Sequence, residues 1–252
     1  MNRALFFAVA VTLPTFPLLG SAAQWQVQAR EKVRTHCDAT IDPAHFTHLI
    51  SNKYYSLSDG MTAGYEKTTR EGIVRKEVTV TGETKTVMGV TTLVVWDREW
   101  LNDQLEQETN DWVAQDKNGN VWYFGEAVGH YKNGRLINNE GSWEAGVDGA
   151  KPGILMLGDP KPGDMYRQEC YPGKAEDMAR VIAVGTSVRV PRGPFFQNCV
   201  HIRGWAPLDE SEIEDKYYCV GVGQLVVEKM GAERLRLVTF RKGLRKMEHA
   251  GY

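Results

Sequence analysis

DWVAQDKNGNVWYFGEAVGHYKNGRLINNEGSWEAGVDG, residues 111–149, decides how the chain reads. It holds two Asn-Gly pairs, Asn118-Gly119 and Asn133-Gly134, each set between runs of strand-forming residues. A two-residue hairpin loop of the favoured type needs positive φ at both central positions, and Asn-Gly supplies this at least cost. The segment therefore predicts two tight hairpins. It also gathers three Trp with several Tyr, Phe and carboxylates, a composition that a plain surface hairpin does not need.

Register follows from the turns. With a two-residue loop at Asn118-Gly119, Asp111 opposes Glu126, Val113 opposes Phe124 and Gln115 opposes Trp122. With a second at Asn133-Gly134, Phe124 opposes Trp143 and Glu126 opposes Gly141. One face then carries an aromatic wall of Trp122, Phe124 and Trp143 around Asp111 and Glu126, while Trp112, Tyr123 and Glu144 take the other face. Carboxylates directly opposite one another destabilise a sheet. Buried, they need a cation, an Arg, a shared proton or water. The alternative is a three-residue first turn with a bulge, which would shift the faces and part Asp111 from Glu126.

From Met61 onwards the chain reads as strands separated by turns. Val74, Val78 and Val80 lie at even spacing, and VMGVTTLVVWDRE (residues 87–99) is strongly β-branched. AQWQVQAREKVRTH (residues 23–36) suits a short amphipathic helix, GKAEDMARV (173–181) a single helical turn at its start, and VDGAKPGILMLGDPKPGD (147–164) a loop or edge segment. DESEIED (209–215) reads as a solvated acidic loop between strands of a closing meander. In Tyr166-Arg-Gln-Glu169 the alternation puts Arg167 and Glu169 on one face. An inward Arg167 would answer the acids above; an outward pair in solvent would contribute little. The expectation is mainly β: an antiparallel barrel or strongly curved sheet with few short helices, as one domain over residues 24–252.

Residues 1–23 have the form of a secretory signal, with Arg3 ahead of an apolar run and Ser21-Ala22-Ala23 before Gln24. This predicts a periplasmic or secreted protein with no integral membrane segment after cleavage. Such a compartment lets Cys37, Cys170, Cys199 and Cys219 oxidise. Three connectivities are open; Cys199 and Cys219 fall in consecutive strand-like runs, which makes a cross-strand bond between them geometrically plausible and leaves Cys37 with Cys170. With 32 acids against 30 bases, nucleic acid is not suggested as a partner. Oligomeric state is left open.

No GxSxG, HExxH, Walker loop or GxGxxG before a helix is present, and no cofactor is expected. Asp116–Asn120 looks like the start of a calcium loop but lacks the Glu at the twelfth position. A divalent cation at other carboxylates is not defined by spacing. The leading expectation is an exported binding protein for a small apolar or carbohydrate-like ligand, with Trp122, Phe124 and Trp143 as platform and Glu126, Glu144, Arg167 and Glu169 as polar contacts. The rival is a hydrolase- or lyase-type enzyme in which Asp111 and Glu126 divide the acid and base roles. A third class is an envelope structural or interaction protein without a small-molecule site.

DWVAQDKNGNVWYFGE, GSWEAGVDGAKPGI, YRQE followed by GKAED, and KYYCVGVGQLVVE resemble a family of exported bacterial proteins of unknown function. The resemblance covers most of the chain from SNKYYSLSDG (residues 51–60) to the last strand. It implies export and a compact β domain. Cys170 and Cys219 depart from its pattern, which makes a disulfide here a local addition.

Overall fold

The computed structural model describes residue 37, residues 39–190 and residues 193–243. The expected signal and the helix over 23–36 lie outside the described residues. The strands are β1 (Phe46–Thr47), β2 (Thr62–Thr68), β3 (Ile73–Val87), β4 (Val90–Leu101), β5 (Gln104–Asp116), β6 (Val121–Lys132), β7 (Arg135–Asn138) and β8 (Trp143–Glu144). They continue as β9 (Lys151–Met156), β10 (Met165–Arg167), β11 (Glu169–Cys170), β12 (Met178–Arg189), β13 (Phe195–Ala206), β14 (Asp209–Cys219), β15 (Leu225–Met230) and β16 (Glu233–Arg241). Among the described residues, the helical structure is a single 3-10 turn, Pro43–His45.

Thirteen strands follow one antiparallel path, β10-β12-β13-β14-β15-β16-β2-β3-β4-β5-β6-β9-β11. Its two ends, β10 and β11, are separated in the chain by Gln168 alone. The sheet therefore curls into a nearly closed barrel, the arrangement that leaves few strand edges bare. Short turns make the long meander possible. Met88-Gly89, Asn102-Asp103 and Asn133-Gly134 all have positive φ at both residues and join strands paired right up to the loop, as two-residue hairpin loops do.

Three segments differ from their sequence reading. Lys151–Met156 is a strand paired with both β6 and β11; Gly153 allows a close approach to the Gln168 carbonyl that a larger residue would block. The acidic 209–215 stretch is part of β14, because alternation turns Glu214 inward beside Lys216 and Asp215 outward beside Arg203. Tyr171–Ala175 closes a tight turn through Tyr171 N–H to Ala175 O at 2.7 Å and Ala175 N–H to Tyr171 O at 2.9 Å, in place of a helical turn.

The barrel interior is layered. Val80, Val95, Leu93, Val113 and Val121 fill one level and are almost fully buried. Beyond them the inward positions become polar: Lys76 on β3, Asp97 on β4, Asp111 on β5 and Lys216 on β14 continue the same alternation. The loop before β2 stops the apolar end, with Ile50, Tyr54 and Leu57 buried and Asn52 Nδ2 donating to Gly119 O and Leu157 O. Two disulfides add cross-links: Cys199–Cys219 between directly paired residues of β13 and β14, with Cα atoms 4.0 Å apart, and Cys37–Cys170 from the N-terminal side to β11, with Cα atoms 5.9 Å apart. Among the described residues no helix is long and apolar enough to cross a membrane.

Candidate functional site

The site is built by two offsets in β5–β6 that cancel. The first turn is a three-residue loop: Asp116 N–H reaches Asn120 O and Gly119 N–H reaches Asp116 O, each at 2.9 Å, and Gly119 takes φ +80°. The Asp116 carboxylate fixes it, accepting from the backbone N–H groups of Asn118 and Asn120, from Asn120 Nδ2 and from Trp122 Nε1. Turn chemistry thus accounts for the calcium-like string. This loop shifts the register by one, so that Val113 pairs with Tyr123 and Ala114 with Trp122. A bulge then places Phe124 and Gly125 together opposite Trp112, and Asp111 pairs with Glu126 after all. Gly125 is required there: its φ is +126°, and a Cβ would collide with the Trp143 carbonyl oxygen and lie 2.9 Å from Glu144 Cα.

The bulge decides which side chains meet. Asp111, Tyr123 and Glu126 face the barrel interior together, although Tyr123 and Glu126 are three residues apart. Trp122 and Phe124, expected as the ligand wall, are turned to the opposite face. There Phe46 packs edge-on to both, at centroid distances of 6.0 and 5.6 Å. Trp143 pairs with Glu126 rather than with Phe124 and packs edge-on to Tyr123 at 5.4 Å. Glu144 is also outside the cavity, paired with Lys85 at 2.7 Å, whose ammonium lies 3.3 Å from the centroid of the Trp112 ring. Arg167 follows the fully buried Tyr166 and is turned away from the interior. Its guanidinium reaches the Glu176 carbonyl at 3.5 Å. Of the residues expected at the site, Asp111, Glu126 and Glu169 line one cavity.

That cavity has a volume of about 260 Å³. Its walls come from β3, β4, β5, β6, β9 and β14, from the β10–β12 stretch and from Tyr55 of the plugging loop. Lys76 Nζ pairs with Asp97 at 2.7 Å; Lys216 pairs with Glu214 and with Glu228 at 3.4 Å. Tyr123 donates its phenol proton to Asp111 Oδ1 at 2.6 Å. The acids keep some accessible surface although protein surrounds them, because they line a void.

Burial and crowding set the protonation. Asp111 is pushed up to about 7, by loss of solvation first and by Asp97 second, against the Tyr123 hydrogen bond and Lys76. Glu126 is pushed up to about 8, again by burial and then by Asp111, opposed by Tyr123 and Trp143. Glu169 is also raised to about 8, by burial, Asp177 and Glu126. Burial alone would lower Lys76 and Lys216, but their paired carboxylates override it and hold both well above the usual lysine value. Tyr218 is raised to about 12, chiefly by burial. Around neutral pH the three acids are thus near the point of exchanging protons, with the Tyr123 hydroxyl next to two of them.

Sequence reasoning missed Lys76, Asp97, Lys216, Tyr55 and Tyr218, and assigned Tyr123 to the wrong face. The signal was present: Lys76 interrupts the Val74–Val78–Val80 series, and Asp97 continues Leu93–Val95. A charge at an inward strand position marks a polar interior.

A larger cleft of about 590 Å³ lies at the barrel's apolar end, between the plugging loop, the Val220–Val222 turn and Phe240–Gly243. None of the acids above lines it. Compared with protein-family models, curated proteins and solved structures, the chain matches none.

Proposed function

We propose that this is an exported binding protein, periplasmic or secreted, that holds a small polar molecule inside its barrel. One observation carries the reading: side chains from strands distant in sequence converge as Asp111, Tyr123, Glu126 and Glu169 on one cavity inside the barrel wall. Burying so many ionisable groups without a role costs stability, whereas a ligand site gains orientation and selectivity from them. The cavity is polar and small, which favours a compact hydrophilic ligand over the apolar member of the apolar or carbohydrate-like pair expected from Trp122, Phe124 and Trp143. Export is supported by the form of residues 1–23 and by two disulfides, which persist in oxidising compartments. The resemblance to an exported bacterial family points the same way.

The test is native mass spectrometry of protein purified from its own host, comparing the natural chain with Gln107→Trp. Gln107 is an exposed residue on the cavity lining, so Trp there obstructs the void without entering the core. A retained small-molecule mass that is lost in the variant, with equal melting of the two ligand-stripped proteins, is the expected result. No retained mass, together with no thermal shift from a panel of small polar compounds, would refute the reading. A second reading, an acid–base enzyme, is favoured by the Tyr123 hydroxyl set between Asp111 and Glu126. It predicts a bell-shaped rate profile with both limbs near neutrality.

A further inference from the structure

We infer that the cavity ligand is an organic cation bearing at least one ammonium group, held by Asp111, Glu126 and Glu169 against the rings and hydroxyls of Tyr55, Tyr123 and Tyr218. This rests on reading the cavity as a ligand site and adds the class of ligand.

The charge inventory leads there. Each interior cation is already matched: Lys76 by Asp97, and Lys216 by Glu214 and Glu228. Among the described residues no Lys or Arg pairs with Asp111, Glu126 or Glu169, and outward-turned Arg167 does not line their cavity. The cavity is therefore short of positive charge. Three tyrosines surround the same space. Tyr55 and Tyr218 pack edge-on at 6.1 Å, and Tyr123 completes the set. Carboxylates beside aromatic rings are the chemistry that recognises ammonium groups, through charge-assisted hydrogen bonds and cation–π attraction.

An independent feature shows unmet bonding capacity at this place. Among the described residues the Tyr65 hydroxyl has no hydrogen-bond partner, although Tyr65 is 2 % exposed. Its electrostatic neighbours are Lys76, Tyr218, Tyr55 and Asp97, all of which line the cavity. A buried hydroxyl is a group that native proteins normally satisfy. A bare metal ion fits less well: no three of the described His, Cys, Asp and Glu side chains converge closely enough to enclose one. An alkylammonium can instead span acids spread around 260 Å³, a space of roughly nine water-sized groups at about 30 Å³ each.

The experiment is calorimetric titration of the intact oxidised protein with 1,4-diaminobutane, and in parallel with its neutral isostere 1,4-butanediol and with Mg²⁺. The diamine is expected to bind and the diol not. Affinity for the diamine should rise about ten- to a hundredfold from pH 6 to pH 8.5, because an acid near 8 must lose its proton to pair with the cation. The double variant Glu126→Gln/Glu169→Gln should bind it at least about tenfold more weakly. Its melting temperature at pH 8.5 should be equal to or above that of the natural chain, which separates lost binding from lost folding. Equal binding of diol and diamine overturns the cation assignment and leaves the polar-ligand reading standing. Mg²⁺ binding in place of the diamine, no diamine binding at pH 8.5, or full affinity in the double variant also overturns it.

Discussion

Replacing Glu126 by Gln keeps the side chain's shape and removes its titration, so the variant isolates what the buried charge costs the ligand-free protein. The Glu126 carboxyl is raised from an ordinary 4.5 to about 8. Between those values the folded protein binds a proton that the unfolded chain has released. Stability is therefore complete below about pH 4.5 and is lost as pH rises through about 8. At pH 7.5 the full linkage is about 3 pH units, or roughly 4 kcal/mol. The cavity admits water, and screening there lowers the figure to about 1–3 kcal/mol. The glutamine side chain cannot ionise; its amide can donate to the Tyr123 oxygen as the neutral acid would. Glu126→Gln should therefore be more stable than the natural chain by that amount at pH 7.5 and equal to it at pH 4.5. At about 2–4 °C per kcal/mol for a chain of this size, the melting temperature rises by roughly 2–12 °C. Scanning calorimetry of ligand-stripped protein at both pH values reads it. A destabilised variant at pH 7.5, or a gain that does not change with pH, would refute the account of the interior charges.

Gly125→Ala places a Cβ against the Trp143 carbonyl at φ +126° and should cost on the order of 2–4 kcal/mol in urea unfolding; a neutral result would refute the requirement for glycine in the bulge. Lys76→Met leaves Asp97 buried without its partner and should cost about 2–4 kcal/mol, while Lys76→Met with Asp97→Leu recovers most of it; no recovery would show that the pair has roles beyond mutual neutralisation. Cys199→Ser/Cys219→Ser opens a loop with a sequence separation of 20 and Cys37→Ser/Cys170→Ser one of 133. Chain entropy assigns these about 3 and about 5 kcal/mol, so denaturation midpoints should fall further for the second pair, and the reverse order would contradict the entropic account.

The architecture is legible where local rules act alone. Even spacing in Val74–Val80 and the Asn133-Gly134 turn both specify strands with one inward face, and the barrel is the sum of such meanders. The pairing of Asp111 with Glu126 is legible for a different reason than its derivation: a three-residue turn removes one position and the Phe124–Gly125 bulge restores it. Between the two offsets the faces are exchanged, which is why Tyr123 enters the cavity and Trp122 and Phe124 leave it. The acidic 209–215 string reads as a loop when charge is equated with solvent. Glu214 is inward all the same, since Lys216 follows it on the same face of β14 and β15 brings Glu228 to that lysine. No single-strand pattern carries that information. Alternation assigns Arg167 and Glu169 to one face, but Gln168 is where the path of the sheet ends and begins again, so alternation does not run through it.

The paired offsets in β5–β6 also mark where this chain can change length. The Lys117–Gly119 loop lies beyond the last strand pair, so a lineage that lost one loop residue would still set Asp116 opposite Asn120 and keep every side chain on its face. Phe124 and Gly125 share one partner, so loss of the extra residue there would restore plain alternation with Tyr123 and Glu126 still inward. Val121–Tyr123 has no such slack, because each of its residues faces one partner on β5. Among descendants of this chain, insertions and deletions are therefore expected at the loop and at the bulge, and not between them.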